Sequence, residues 1–574
     1  MSTFDSFLGT INSILWHDSV LFLLLGTGIL FTLWSGICQY RALTHGLHVI
    51  RGVYDDPDDP GAINHFQALS AALSATVGLG NIGGVALAIA LGGPGAIFWM
   101  WVVGFFGMAT KLTEVTLSML YRNTEDPDNP HGGPMWVIDK ALSKKSPALG
   151  KLGKVIGVIF CITLLISTAT GGNMFQAWNV GVITESYFGI PSVATGIILA
   201  VIVGMVIIGG IKRIGKVAGS LVPIMLALYI LAGLYVLGVN IDKIPAMFSL
   251  ILTAAFSPVE ATGAFIGGTM GYAFLFGMKR ALFSNEAGQG TSPIAHSAAK
   301  TNEPVREGIV AGLEPFIDTL VVCTITALVI LSTGVWNRDA DGRLDEFMDL
   351  TQNIEGNWTL NTFGMPDDSS LGWTAGENVF VLVHGDANPQ SGNDLHRLDG
   401  TITADADGAW DIIWGSIESS TTPTLAGTEI FTSYVGATLT ARAFDTVVPG
   451  LGKWLVTIAV WLFAISTLIS WSYYGEQGIV YLAGEGAVLT YKLVFCSLTI
   501  VATLGFLKTD AQLDNLTGFG TGVMLFVNVP IMWLLGRQAM LAYKNYTRRL
   551  DTSRMGPEHK PPSLEDLMSG RDVE

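Results

Sequence analysis

The chain has 574 residues, half of them apolar and only 14% charged, with a mean hydropathy of +0.48; a soluble protein carries about 25% charged residues, and apolar runs of roughly 20 residues, each able to cross a hydrocarbon core about 30 Å thick, exclude a large soluble protein with buried helices. The formal charge of −16 is local, because residues 335–424 hold 16 acidic and 3 basic side chains. Four scattered cysteines, Cys38, Cys161, Cys323 and Cys496, suggest neither a metal site nor a disulfide framework.

Eleven spans are expected, near 19–40, 66–91, 93–121, 154–186, 191–210, 216–238, 261–284, 308–334, 451–472, 488–507 and 515–536. The first is not read as a cleaved signal peptide, since Asp5 and Asp18 precede it and the first basic residue is Arg41. Basic residues gather in alternate loops: Arg41 and Arg51, then Lys140 to Lys154, Lys212 to Lys216, Lys300 and Arg306, and Arg537 to Arg549. The positive-inside rule makes these loops cytoplasmic. The N-terminus is then outside, the C-terminus inside and the acidic insertion outside. With the first span set aside, two groups of five begin on opposite sides of the membrane, as inverted repeats do.

Span two carries Gly78-Leu79-Gly80-Asn81 with Gly83 and Gly84 at its middle. Glycine tolerates unwound backbone and Asn81 can bond freed groups, so a broken helix is expected there. Span four contains Thr168, Thr170, Gly171, Gly172, Asn173 and Gln176 in an apolar run. Gln176 suits a substrate amino group, and an interhelical hydrogen bond equally. Span seven, first of its half, holds Gly263, Gly267, Gly268 and Gly271, with Thr269 among them. A second break and a ridge that seats a neighbouring helix both fit this pattern. Gly268 and Thr269 join Gly78, Leu79, Gly80, Asn81 and Gln176 as candidate substrate-binding residues.

The chemistry explains why breaks would serve. Each charge of a zwitterion costs about 2.5–3.5 kcal/mol near the bilayer centre. Half-helix N-termini can hold a carboxylate, and freed carbonyls an ammonium or a cation. On span eight, Glu314 and Asp318 share one face and are candidate gate residues, paired with Lys111, Lys279 or Arg280; a proton-coupling role is the alternative. On span nine, Phe463, Ser466 and Thr467 share a face, and two hydroxyls plus a carbonyl suit a hard cation. Hydroxyls bonding their own backbone are the plainer account.

The insertion repeats Asp-Ala-Asp-Gly at Asp339–Gly342 and Asp405–Gly408. Calcium is one reading, but the acidic ligand expected at position twelve is missing from both. Asp-Gly turns between short strands at Val379–Val383 and Thr401–Thr403 explain the repeat more simply, so the insertion is expected to be β-rich.

Gly92-Gly93-Pro94-Gly95-Ala96-Ile97-Phe98-Trp99-Met100-Trp101, with Gly132-Gly133-Pro134-Met135, Phe283-Ser284-Asn285-Glu286-Ala287-Gly288 and Trp471-Ser472-Tyr473-Tyr474-Gly475-Glu476, resembles the alanine or glycine:cation symporter family over about 60–334 and 451–540. Val77 to Asn81 also looks like the unwound first core helix of neurotransmitter:sodium symporters. The resemblance implies an all-α polytopic membrane protein of a bacterial or archaeal cell membrane, the inner one if Gram-negative. It implies a 5+5 inverted repeat with broken first helices plus one extra N-terminal helix, and sodium-coupled uptake of alanine, glycine or a related zwitterion by alternating access. By that likeness the amides of Leu79 and Gly80 hold the carboxylate, and Gln176 lines the pocket. Ser74 and Val77 carbonyls, with Phe463, Ser466 and Thr467, hold sodium. Leu79 stands where relatives often have Thr, and Leu275 where they often have a polar or cationic residue.

The expected organisation is a transporter domain in two stretches, 1–334 and 425–536, separated by the insertion 335–424 and followed by a cytoplasmic tail, 537–574. Partners are a zwitterionic amino acid, sodium and lipid, with no nucleic acid and no covalent cofactor. A membrane sensor that uses the insertion is the rival of another class; paired breaks argue against it. No filter-like repeat favours a channel, and no nucleophile–base set or metal cluster favours an enzyme.

Overall fold

Hydrocarbon leaves no water to satisfy backbone groups, so the apolar runs must bond internally as helices. The computed structural model describes residues 3–259, 264–265, 270–344, 348–353, 356–360, 373, 376–387, 394–404, 410–434, 436–505, 510–552 and 561–569. The helices are α1 (Thr3–Leu15), α2 (Asp18–Ser35), α3 (His65–Thr76), α4 (Val85–Gly92), α5 (Gly95–Tyr121), α6 (Pro134–Ser143), α7 (Pro147–Ala169), α8 (Phe175–Phe188), α9 (Ser192–Ile207) and α10 (Gly210–Val239). After these come α11 (Ile244–Ala254), α12 (Met270–Asn285), α13 (Ser292–His296), α14 (Pro304–Ala311), α15 (Thr324–Thr333), α16 (Ala437–Asp445), α17 (Leu451–Ala483), α18 (Val488–Val501) and α19 (Asp510–Asp551).

Among the described residues seven helices are long and apolar enough to cross a membrane, or eight with the bent pair His65–Thr76 and Gly80–Gly92 taken as one. Three of the eleven expected spans fall on shorter helices, α9 with 16 residues, α12 with 16 and α18 with 14, and α12 also carries Lys279 and Arg280. Residues 266–269, just before α12, lie outside the described residues, and with them Gly267, Gly268 and Thr269; Gly263 does too. Apolar side chains such as Leu33, Val201, Leu231 and Leu489 stand exposed around the helices. That is a liability in water and the expected surface toward lipid.

α3 starts from Asn64, whose side chain accepts the Gln67 N–H while the Gln67 side chain accepts from the Asn64 backbone, a reciprocal cap. It stops at Val77, which is extended (φ −78°, ψ 97°). A wide π turn, Gly80–Gly84, then leads into α4, and the halves meet at 54°. Further wide turns at Thr170–Met174, between α7 and α8, and at Phe316–Cys323, before α15, interrupt other helices.

The insertion is antiparallel sheet. Its strands are β1 (Gly342–Arg343), β2 (Leu350–Gln352), β3 (Trp358–Leu360), β4 (Asn378–His384), β5 (Leu395–Ala404), β6 (Trp410–Trp414), β7 (Thr424–Leu425) and β8 (Glu429–Thr432). The main sheet runs β1-β8-β4-β5-β6, β7 also pairs with β4, and β2-β3 stand apart. Val379, Val381 and Val383 alternate inward onto Leu398, Ile402 and Ile412, which fixes the register of β4 on β5. Asp341 accepts the Thr432 N–H at 2.7 Å and lies 3.5 Å from the Arg338 guanidinium, so the first Asp-Ala-Asp-Gly ties the sheet together. Asp345 and Asp405–Gly408 lie outside the described residues. Among the described residues no group of three or more His, Cys, Asp or Glu is placed to hold a metal ion.

Candidate functional site

The break in span two is held open by its own asparagine. The Gly78 N–H, freed where α3 ends, donates to Asn81 Oδ1 at 2.8 Å, and the Asn81 N–H donates to the Gly78 carbonyl at 3.1 Å. That fixes the side-chain amide with its nitrogen facing away, toward Ser284 Oγ at 3.1 Å and, in a short hydrogen bond, Asp318. Asn81 is therefore fully buried behind the break, whereas Gly78, Leu79 and Gly80 line a cavity in front of it. A Cβ added at Gly80 would stand 3.8 Å from Phe283; a first carbon fits there, and a longer side chain would fill the cavity.

The expected oxygens of α3 and α17 do converge. Ser74 Oγ donates to the Ser466 carbonyl at 2.7 Å, and Ser466 Oγ donates to the Phe463 carbonyl at 2.8 Å. The Ser74 carbonyl is approached by Ser466 Oγ at 3.4 Å and Thr467 Oγ1 at 3.3 Å. Those two contacts are at the weak limit of hydrogen bonding. The cluster thus combines two ordinary hydrogen bonds with two long ones and holds no charged group, a set of hard oxygens of the kind that could hold a monovalent cation. Val77 is fully buried one turn farther along, beside the Gly78 position from which an added Cβ would lie 3.1 Å from Thr467 Oγ1.

The cavity is small, with about 470 Å³ of non-atom space once the open solvent at its mouth is included. Gln176 reaches it from α8. Its Nε2 donates to the Gly171 carbonyl at 3.1 Å, which leaves Oε1 buried without a partner. Thr467 lines the same cavity, so the oxygen cluster and the cavity share a wall. Sequence reading did not single out Phe283, Glu286, Gln289 or Trp471, which also face it. Phe283, Glu286 and Trp471 belong to the family-like motifs, and the signal they offered was a polar or aromatic residue next to a helix end or a wide turn. A second, more open cavity of about 920 Å³ adjoins it, bordered by Trp16 and Asn515, and Phe283 borders both. Lys279 and Arg280, expected as partners for the span-eight acids, face this second cavity.

Glu314 is paired with the third expected partner. Lys111 Nζ lies 3.2 Å from Glu314 and 3.9 Å from Glu114. Glu314 also accepts from Ser292 Oγ at 2.5 Å and meets His296 Nε2 at 2.7 Å. His296 Nδ1 meets Glu307 at 2.5 Å, and Glu307 is bonded closely to His65, the first residue of α3. The row His65–Glu307–His296–Glu314–Lys111–Glu114 is almost entirely dehydrated. Asp318 stands apart from it. Its carboxylate accepts from Asn81, from Ser284 Oγ at 2.7 Å and from Thr319 Oγ1 at 3.0 Å, all neutral donors.

The family model described as the sodium:alanine symporter family matches residues 1–361 and 417–560 and leaves the middle of the sheet insertion unmatched. A sodium/alanine symporter (AgcS) of Methanococcus maripaludis is 37% identical over 532 residues, 93% of this chain and 95% of that protein. An uncharacterized transporter of Haemophilus influenzae is 32% identical over 549 residues, 96% of this chain and 97% of its own length. Among solved structures, that of MhsT in complex with L-phenylalanine is similar with a TM-score of 0.49 and 13% identity, over 84% of this chain and 92% of that one.

Proposed function

The chain belongs to the sodium:alanine symporter family, sodium-coupled amino-acid symporters of the bacterial or archaeal membrane and not enzymes, and from that premise we propose that it carries a small neutral amino acid, alanine or glycine, by alternating access. The observation that carries this reading is the shared wall. Thr467 borders the cavity and directs its hydroxyl at the Ser74 carbonyl, so a cation held by Ser74, Val77, Phe463, Ser466 and Thr467 would brace the break that forms the other side of the cavity. Sodium and cargo then stabilise one another through the same few residues, which is coupling in the thermodynamic sense.

In this reading the amides of Leu79 and Gly80 hold the carboxylate of the cargo, at the start of the Gly80–Gly92 half-helix. Gln176 offers Oε1 to the ammonium, and Gly268 and Thr269 remain candidates for cargo contact that lie outside the described residues. Asn81 shapes the break from behind. Glu314, paired with Lys111, and Asp318, bonded to the break, form the gate on the cytoplasmic side. Eleven crossings, in two inverted sets of five plus the first, put the N-terminus and the insertion outside and the tail 537–574 inside. The transporter domain is then 1–334 with 425–536, and 335–424 is an appendage. Another small zwitterion with the same two charged ends is the alternative cargo.

One sodium ion moving down 100 mV supplies about 2.3 kcal/mol, enough for roughly fifty-fold accumulation. Uptake of labelled alanine and glycine into proteoliposomes is expected to need a sodium gradient. Uptake that is equal with choline in place of sodium, across a panel of small neutral amino acids, would sink the reading.

A further inference from the structure

We propose that Glu286 receives the ammonium of the cargo and that its charge sets the chemical class the pocket accepts; the inference rests on the transport reading above and deepens it. Glu286 is the one carboxylate among the described residues that line the cavity. It follows directly on α12 with φ +53°, one of two non-glycine residues at positive φ among the described residues. A left-handed conformation is costly for a residue with a side chain. Here it turns the backbone out of the helix at the level of the cavity. Thr291 Oγ1 donates to Glu286 Oε2 at 2.5 Å, and Thr291 is itself fully buried. The other oxygen, Oε1, has no hydrogen-bond partner among the described residues.

Gln176 supplies a second open acceptor. With Nε2 fixed on the Gly171 carbonyl, its buried Oε1 is left facing the same cavity. Two unpartnered acceptors, one charged, match an ammonium, which brings three donors and no acceptor. The nearby cation, Lys111, is paired with Glu314 and Glu114 and makes no direct ion pair with Glu286 among the described residues. A dehydrated carboxylate without a cation is costly in a membrane interior, and bound cargo removes that cost. The cavity is thereby bipolar, with amide donors at Leu79 and Gly80 and acid and amide acceptors at Glu286 and Gln176. It selects molecules with a cation beside a carboxylate and disfavours hydroxy acids of the same size.

The test uses the full-length protein in sodium, with L-alanine and L-lactate as probes of nearly equal shape. Truncating one partner of a buried charge pair costs about 2–5 kcal/mol, so Glu286→Gln is expected to weaken alanine binding by at least about thirty-fold. Lactate binding should stay level or improve, because the repelling charge is gone. The variant should keep its sodium-induced rise in Tm, which reports that the ion cluster and the fold are intact. Glu286→Asp, with the charge retained and a residue type that tolerates positive φ, should recover some of the loss. Alanine binding unchanged in Glu286→Gln, or alanine and lactate weakened equally, overturns the inference and leaves the transport reading standing. A wild-type protein that binds no α-amino acid in sodium overturns the pocket itself, and the inference with it.

Discussion

Single residues decide how tightly ion and cargo are linked. Thr467→Val keeps shape but removes the hydroxyl that meets the Ser74 carbonyl at 3.3 Å. Loss of such a group costs about 1–3 kcal/mol. The sodium concentration for half-maximal uptake should therefore rise at least several-fold, while cargo affinity at saturating sodium stays within about twofold. An unchanged sodium curve would remove Thr467 from the ion site. Ser466 and Thr467 were legible in the sequence because hydroxyls three and four residues from Phe463 share a helix face. Glu286 was not, because its importance comes from a positive φ and from Thr291 five residues on, and neither has a spacing rule. Asn81 was half legible. Its partnership with the freed Gly78 N–H follows from asparagine's habit of bonding its own backbone, but its link to Asp318, 237 residues away, depends on how the helices pack.

Elements carry the same contrast. The α3–α4 break could be read from Gly-Leu-Gly-Asn in a segment that should otherwise favour Leu or Ile. The wide turns at Thr170–Met174 and Phe316–Cys323 could not, since a π turn has no composition of its own. Within the insertion, Val379, Val381 and Val383 announced β4 by alternation, whereas the turn expected at the first Asp-Gly is instead the start of a strand, Gly342 opening β1 on β8. The closing strand β8 lies past the expected end at 424 because its partners, β1 and β4, are remote in sequence. That pairing also shows where to cut. Gly342 and Ile430 face one another across β1 and β8, about 5 Å apart as antiparallel neighbours are. Replacing 343–429 with a linker of about four Gly and Ser residues therefore removes the sheet without stretching the chain. Uptake per correctly inserted molecule is expected to fall less than about tenfold, as for a loop extension that closes at small entropic cost. A larger loss would make the sheet a working piece of the transport cycle.

On the scale of the whole molecule, the first half meets the second through the row from His65 on α3 to Glu114 on α5. Five of its residues are fully buried and Glu114 nearly so. Removing one partner from such a set costs about 3–5 kcal/mol, comparable to the differential needed to reverse a two-state equilibrium. Glu314→Gln, which removes a charge beside Lys111 and His296, is expected to favour the form open on the side of His65. A cysteine placed at Ala75, on the cavity wall, should then be labelled faster by a membrane-impermeant thiol reagent from that side, by at least about tenfold. Equal labelling would mean that the row holds the fold and not the gate. The general position of this row was legible from Glu314 and Lys111, but its histidines were not, because His65 and His296 are isolated in sequence.

The dryness of that row has a consequence for the cell as an electrical object. A carrier spends much of its time idle, and every idle copy is a possible shunt across a membrane that stores energy as voltage. Six buried titratable groups packed against one another fill the space beside Glu314 with protein. A hydrated ion would have to part those pairs to pass beside Glu314, so the same contacts that join the two halves also help the membrane keep its voltage.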